Sequence, residues 1–291
     1  MSQDTIKSPA LAAVIGSPVR HSLSPTIHNA AFRHTGLDWL FVAWDVPSGL
    51  AEDALQAMKT FNLAGLSVTM PHKTAVAEAV DQLSPEAGKL NAVNCVARQG
   101  DQLVGHNTDG AGFVASLKAD ANFNPEGKSC FVAGAGGAGR AVILALAQAG
   151  AARVGIMNRT QAKAQAAADL AGEAAEISDV EVADADAIGN FDLVVNATPV
   201  GMPDFAGQTP FPTTGLHAKQ LVVDLIYQPW ETPLLKAARA KGIAALNGFG
   251  MLVHQAGVAF ELWTGIPAPV EAMTAAVSSK ITVNSDQQPH L

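Results

Sequence analysis

Cysteine, tyrosine and positive charge are scarce in this 291-residue chain, and each scarcity closes off a class of function. The two cysteines, Cys95 and Cys130, cannot build a disulfide framework, and with no CxxC or Cys/His cluster no metal site is expected. Lysine and arginine total 18 against 26 aspartates and glutamates, a net charge of −8. That balance argues against a general affinity for nucleic acid or an anionic membrane, while leaving room for a local basic patch that binds a phosphate. No apolar run approaches the roughly 20 residues that span a bilayer. The opening MSQDTIKSPA is polar and lacks the basic-then-apolar layout of a secretory signal. Internal repeats and long low-complexity segments are missing too. The expectation is a soluble cytoplasmic protein.

Apolar residues make up 48% of the chain and charged residues 15%, enough to bury sizeable cores, and the length suits about two domains. Short apolar runs alternate with alanine-rich helical stretches, which predicts an α/β fold with mostly parallel sheets. In the first part the pattern predicts strands over residues 11–15, 40–46 and 63–69, a helix over 25–35, and a hairpin of 91–98 with 102–107. Ser48 is placed to cap a helix after the second strand. The polar stretch 120–128, with Pro125 and Gly127, puts a boundary within 108–128. Beyond it, strands are predicted over 130–133, 153–157, 192–196, 221–225 and 243–246. Helices are predicted over 138–149, 161–170, 251–263 and 270–278, with a polar tail from Asn284.

The strand over 130–133 runs into Gly134-Ala135-Gly136-Gly137-Ala138-Gly139 and then a helix, the context in which G-x-G-x-x-G binds a dinucleotide. Gly134 permits the tight turn, Gly136 lets backbone approach a pyrophosphate, and Gly139 lets helix and strand pack closely. The helix N-terminus adds N–H donors and partial positive charge. An NAD site would carry Asp or Glu at the end of the next strand, on the ribose 2′-OH. Here that strand ends in Asn158-Arg159-Thr160, with Lys163 one turn on. Arg159 and Lys163 suit a 2′-phosphate, and Asn158 and Thr160 can donate to it, so NADP(H) is the expected cofactor.

Polar residues gather in short motifs elsewhere. His21-Ser22-Leu23-Ser24-Pro25 puts two hydroxyls just before a helix, an arrangement suited to a carboxylate or a polyol. In Ser67-Val68-Thr69-Met70-Pro71-His72-Lys73, Thr69 and Lys73 follow a strand, where open α/β sheets bind ligands. Lys73 can move a proton or orient a hydroxyl. Asn94 precedes His106-Asn107-Thr108-Asp109-Gly110, in which Asp109 reads either as a helix cap or as a carboxylate acting with Lys73. Three further motifs are Asn196-Ala197-Thr198-Pro199-Val200-Gly201-Met202, Asp224-Leu225-Ile226-Tyr227 with the only tyrosine, and the run from Asn247 through Gly248 and Met251 to Gln255.

In this order the motifs HSLSP, SVTMPHK, AVN, NTDG, GAGGAG, NRT, NATPVGM, DLIY and GMLVHQA closely resemble the shikimate dehydrogenase family, from about Ala12 to Pro269. The resemblance implies an N-terminal α/β substrate domain and a Rossmann-like NADP domain with a cleft between them. The substrate domain would be discontinuous, 1–108 and 249–291, around an NADP domain of 109–248. The implied reaction is reversible NADPH-dependent reduction of 3-dehydroshikimate to shikimate, in aromatic amino-acid and chorismate biosynthesis. By motif, Ser22 and Ser24 would hold the substrate carboxylate, and Thr69, Asn94 and Gln255 the ring hydroxyls, with Tyr227 nearby. Lys73 and Asp109 would be the catalytic pair, Asp109 also touching substrate. Gly134 to Gly139 would cradle the pyrophosphate, and Asn158, Arg159, Thr160 and Lys163 the 2′-phosphate. Thr198, Leu225, Gly248 and Met251 would line the adenosine and nicotinamide ends. A monomer or homodimer would suit the family.

Two positions depart from the family pattern: Ser67, often asparagine, and Lys163, usually arginine, which keeps the charge but loses the bidentate fork. Quinate-using relatives tend to have threonine at the second serine and an acid after the second nucleotide strand. Ser24 and Asn158 therefore favour shikimate with NADP. A catalytically silent NADP-binding regulator on the same scaffold is disfavoured by Lys73 and Asp109. A folate-cycle type of dehydrogenase gives no reason for the paired serines or for NTDG.

Overall fold

The computed structural model describes residues 9–174 and 179–285; the opening segment and the tail beyond Ser285 lie outside these residues. The chain divides into two compact units, Met1–Thr108 with Ala256–Leu291, and Asp109–Gln255.

The first unit runs β1 (Ala10–Gly16), α1 (Ser24–Thr35), β2 (Trp39–Asp45), α2 (Ala51–Thr60), β3 (Gly65–Val68), α3 (Lys73–Ala79), β4 (Gln82–Leu83), α4 (Pro85–Leu90), β5 (Cys95–Gln99) and β6 (Gln102–His106). Its sheet has the order β2-β1-β3-β5-β6-β4. The first three strands in that order are parallel, β5 is antiparallel to both of its neighbours, and β4 is parallel to β6. The carboxyl ends of β1, β2, β3 and β6 and the start of β5 therefore share one edge. On β1, Ala13 and Ile15 point into a core with Leu55 and Met58 of α2 and Val76 of α3, as the two-residue period of a strand requires.

A second packed layer of this unit is aromatic. The Trp263 indole donates to the Val96 carbonyl at 3.0 Å, and any Cβ on Gly65 would overlap its ring. His28 stacks on Phe41, ring centroids 4.4 Å apart, and lies 4.9 Å from Trp263. The outer edge of β2 is closed by α1: Asn29 donates to the Phe41 carbonyl and accepts from the Phe41 N–H, both at 2.9 Å. An amide thus occupies backbone groups that an edge strand would otherwise offer to another chain.

The second unit runs α5 (Asp109–Ala121), β7 (Ser129–Ala133), α6 (Gly137–Gln148), β8 (Arg153–Met157), α7 (Gln161–Ala174), β9 (Asp179–Val182), β10 (Leu193–Asn196), β11 (Leu221–Asp224), α8 (Pro233–Ala240) and β12 (Ala244–Leu246). α9 (Phe249–Thr264) begins in this unit and ends in the first, and α10 (Val270–Ser285) follows. The sheet β12-β11-β10-β7-β8-β9 is wholly parallel. Val132, Val154 and Val195 face a core with Phe113, Val142 and Ala167 from α5, α6 and α7. Phe131, Val194 and Val222 face the opposite core, with Phe191 and Leu234. Strand order reverses between β7 and β10, which opens a crevice at their carboxyl ends.

Several local expectations shift. Ser48 does not cap α2, whose cap position is Leu50 without a side-chain bond; the Leu50 N–H instead closes a turn onto the Pro47 carbonyl at 3.2 Å. β3 is shorter than the 63–69 expectation, Thr69 lies past its end, and Lys73 opens α3 rather than closing a turn. Asp109 is the first residue of α5, inside the helix rather than before it. α10 carries Asn284 and Ser285, where a polar tail was expected to begin. Among the described residues no helix is long and apolar enough to cross a membrane, and no cluster of three or more His, Cys, Asp or Glu could hold a metal.

Burial drives His28 down to about pH 3, whereas an unfolded histidine titrates near pH 6.5. Its contribution is therefore complete above pH 6.5 and lost as pH falls toward 3, because only the unfolded chain takes up the proton. In urea unfolding of wild type and His28→Leu, the wild type should lose about 1.4 kcal/mol per pH unit relative to the variant between pH 6 and 4. A pH-independent difference would refute this burial effect.

Candidate active site

At the carboxyl edge of the first unit, two loops lie directly on each other. The Ser17 N–H donates to the Met70 carbonyl and the Thr69 N–H to the Ile15 carbonyl, both at 2.9 Å. A Cβ on Gly16 would overlap the Thr69 side chain. In the first loop the Ser22 hydroxyl accepts from the Ser24 N–H at 3.2 Å, so the two serines share one turn at the start of α1. In the second, the buried His72 ring meets the Val46 carbonyl at 2.7 Å and ties the loop to the end of β2. Lys73 follows, and its carbonyl accepts from Val93 N–H at 2.9 Å. Asn94, next along, is buried. Its oxygen accepts from the Thr108 N–H at 2.8 Å and its nitrogen donates to the Thr108 hydroxyl at 3.0 Å. Ser22, Ser24, Thr69, Lys73 and Asn94 thus converge on one sheet edge, and Asp109 is covalently next to Thr108.

The second unit gathers the nucleotide motifs. Gly134 has φ +107°, and a Cβ there would stand 2.7 Å from the Ala197 carbonyl oxygen. A Cβ on Gly139 would overlap the Gly134 carbonyl, whereas Gly136 and Gly137 face open space. The first N–H groups of α6 have no partner within the helix, so they and the open glycines form a cradle for an anion. Asn158 accepts from the Ala135 N–H at 3.1 Å and donates to the Thr160 carbonyl at 2.9 Å, bracing the glycine loop against the end of β8. Arg159, Thr160 and Lys163 are exposed just beyond, and no acid of the kind that reads a ribose 2′-OH stands at this strand end. The residues present suit a dinucleotide carrying a 2′-phosphate.

Family models match three stretches: a shikimate dehydrogenase substrate-binding domain over residues 14–96, a shikimate/quinate 5-dehydrogenase domain over 117–207, and a shikimate 5′-dehydrogenase C-terminal domain over 248–277. The NADP(+) shikimate dehydrogenase of Geobacter metallireducens is 44% identical over 91% of this chain and 94% of its own. The chain belongs to the shikimate dehydrogenase family. Among solved structures, the Thermus thermophilus shikimate 5-dehydrogenase in complex with NADP(H) and shikimate superposes with a TM-score of 0.84, 36% identity and coverage of 93% and 99%. The quinate dehydrogenase of Corynebacterium glutamicum in complex with NAD gives 0.86, 35% identity and coverage of 94% and 100%. The fold is therefore shared across substrates and cofactors, and side chains must carry the discrimination.

Within this family scaffold the remaining expected residues lie in the second unit. Thr198 donates to Asn196 Oδ1 at 2.7 Å. Leu225 packs on the core with Met251, and a Cβ on Gly248 would overlap its carbonyl oxygen. Tyr227 is half-buried, which raises its phenol above the usual range. Gln255 donates to the Leu252 carbonyl at 2.8 Å. Sequence reasoning quoted His72, Thr108, Asn196 and Asp224 inside motifs but gave them no task. Their signal was a polar residue at the end of an apolar run, which burial turns into a structural tie.

The glycine geometry separates two substitutions. Gly139→Ala should cost about 1–3 kcal/mol in urea unfolding, as an overpacked contact does. Gly136→Ala should fold within about 0.5 kcal/mol of wild type and yet weaken NADP+ binding in calorimetric titration. Equal effects of the two on stability would refute this division.

Proposed function

We propose that this chain catalyses the reversible NADPH-dependent reduction of 3-dehydroshikimate to shikimate, as a cytoplasmic enzyme that is a monomer or homodimer. The observation that carries the reading is the pairing, in a chain of this family, of a polyol-suited edge bearing Ser22, Ser24, Thr69, Lys73 and Asn94 with a glycine cradle followed by Asn158 and Arg159 rather than an acid. Residues 1–108 and 249–291 serve the substrate and 109–248 the dinucleotide.

When bound, NADPH supplies the hydride that the carbonyl carbon receives. Ser22 and Ser24 hold the carboxylate through their hydroxyls, because the Ser24 N–H is already given to the Ser22 oxygen and Pro25 has none. Thr69, Asn94, Gln255 and Tyr227 orient the ring hydroxyls. Lys73 and Asp109 handle the proton that reaches the carbonyl oxygen as it becomes a hydroxyl: the ammonium donates or directs it, and the carboxylate holds lysine and hydroxyl in line. On the cofactor side Gly134, Ala135, Gly136, Gly137, Ala138 and Gly139 bind the pyrophosphate. Asn158, Arg159, Thr160 and Lys163 serve the 2′-phosphate, and Thr198, Leu225, Gly248 and Met251 the remaining faces. Lys163 contributes charge without a bidentate fork, leaving Arg159 as the planar partner.

Initial rates with shikimate and quinate, each against NADP+ and NAD+, test the assignment. Turnover should be confined largely to shikimate with NADP+. Comparable rates with quinate or NAD+ would move the chain to the other branch of the family, and no turnover with any pair would refute the enzymatic reading. Lys73→Ala should lower kcat by about 10²–10⁴-fold, the range of general acid–base catalysis, with a much smaller change in KM. A raised KM with normal turnover would remove Lys73 from the proton step.

A further inference from the structure

One carboxylate in the second unit is fully buried and has no place in the chemistry above. Asp224 ends β11 and is 0% exposed. It lies in register beside Asn196, the last residue of β10. Its Oδ1 accepts from Asn196 Nδ2 at 3.0 Å and from the Ile226 N–H at 3.1 Å. Its Oδ2 accepts from the Thr232 hydroxyl at 2.7 Å, and that hydroxyl in turn accepts from the Leu235 N–H at the start of α8, at 3.3 Å.

From Asn196 the connections continue to the nucleotide edge. Asn196 Oδ1 accepts both the N–H and the hydroxyl of Thr198, at 3.0 and 2.7 Å, while Asn196 Nδ2 also donates to the Val200 carbonyl at 3.0 Å. The Thr198 hydroxyl accepts from the Val200 N–H at 3.2 Å, so donor and acceptor are both committed and its rotamer is held. Ala197 and Thr198 are the residues a Cβ on Gly134 would strike, and the Leu225 carbonyl is what a Cβ on Gly248 would strike. The segments just after β10 and β11, which close on the glycine loop and on Gly248, are thus suspended from one carboxylate.

We propose that Asp224 is a positioning residue for the dinucleotide: through Asn196, Ile226 and Thr232 it holds residues 197–198 and 225–226 against the glycine positions that NADP approaches. This rests on the NADP reading above. Asp224 touches no ligand itself. An anion suits the position because all three converging groups are donors, and a carboxylate accepts from each without reorientation. Burial pushes its pKa up to about 6, while the three donors pull it down, so the acceptor form still prevails at neutral pH.

The test is calorimetric titration of NADP+ into wild type, Asp224→Ala, Asp224→Asn, Thr232→Val and Thr232→Ser, with thermal melts and shikimate KM measured alongside. Asp224→Ala should raise the NADP+ Kd at least tenfold and Thr232→Val at least threefold, with shikimate KM within twofold of wild type. Thr232→Ser, which keeps the hydroxyl, and Asp224→Asn, which keeps one acceptor for Asn196 and Ile226, should restore most of the affinity. Unchanged NADP+ Kd in a folded Asp224→Ala, or in Thr232→Val where the alanine variant does not fold, would overturn the proposal. So would a shikimate KM that rises in step with the Kd, since that marks general loosening. Wild type that binds no NADP+ would overturn the NADP reading and this inference with it.

Discussion

Parallel strands impose the constraint on which the rest of this molecule depends. A parallel sheet sends every strand to the same edge, and every connection must leave from there and return on the other side. The second unit obeys this throughout. In the first, β5 runs the other way, and its start, beside Asn94, joins the ends of β1, β2, β3 and β6. Motifs scattered over much of the chain are therefore delivered to two short edges. The carboxyl edge is chemically useful because helices begin there and leave N–H groups unpaired.

Holding loops at such an edge takes buried polar ties, and the chain places one at each critical point. His72 anchors the loop that carries Lys73 to Val46, and Thr108 locks the Asn94 amide. Asn158 braces the glycine loop, and Asp224 with Asn196 joins the ends of β10 and β11. Each hydrogen bond adds only about 0.5–1.5 kcal/mol net, but a buried group left without its partner costs more. Such ties therefore select one arrangement more strongly than they stabilise it, which is what a binding edge needs. Asn29 applies the same device outside the site, where its amide closes the edge of β2.

Much of the fold was legible because the apolar runs are short, separated and punctuated by glycine and proline. β8 runs over residues 153–157, where the short apolar run placed it, and the hairpin of β5 and β6 turns at Gly100-Asp101. Among the elements left unread, β4 has two residues, both exposed, and β9 is a half-buried edge strand beside β8, whereas α4 was missed despite its Ser84 cap and Pro85. α8 begins at Pro233 behind a Thr232 cap, a start signal hidden in a stretch that also holds Pro229 and Trp230. Ser48 illustrates the opposite error, since a good capping residue counts only if the helix starts within its reach.

By itself the sequence determined the α/β class, the glycine cradle and the absence of an acid after the second nucleotide strand. These depend on residues close in the chain, and spacing alone expresses them. Tertiary structure decided which polar atoms meet. Asn196 lies 28 residues from Asp224, and Asn94 lies 14 from Thr108. Whether such pairs touch depends on strand order and register, which arise from packing whole sheets rather than from any local pattern. The same holds for Gly134 and Gly248: their neighbours are carbonyls brought in by β10 and β11, and only the assembled sheet removes the room for a side chain.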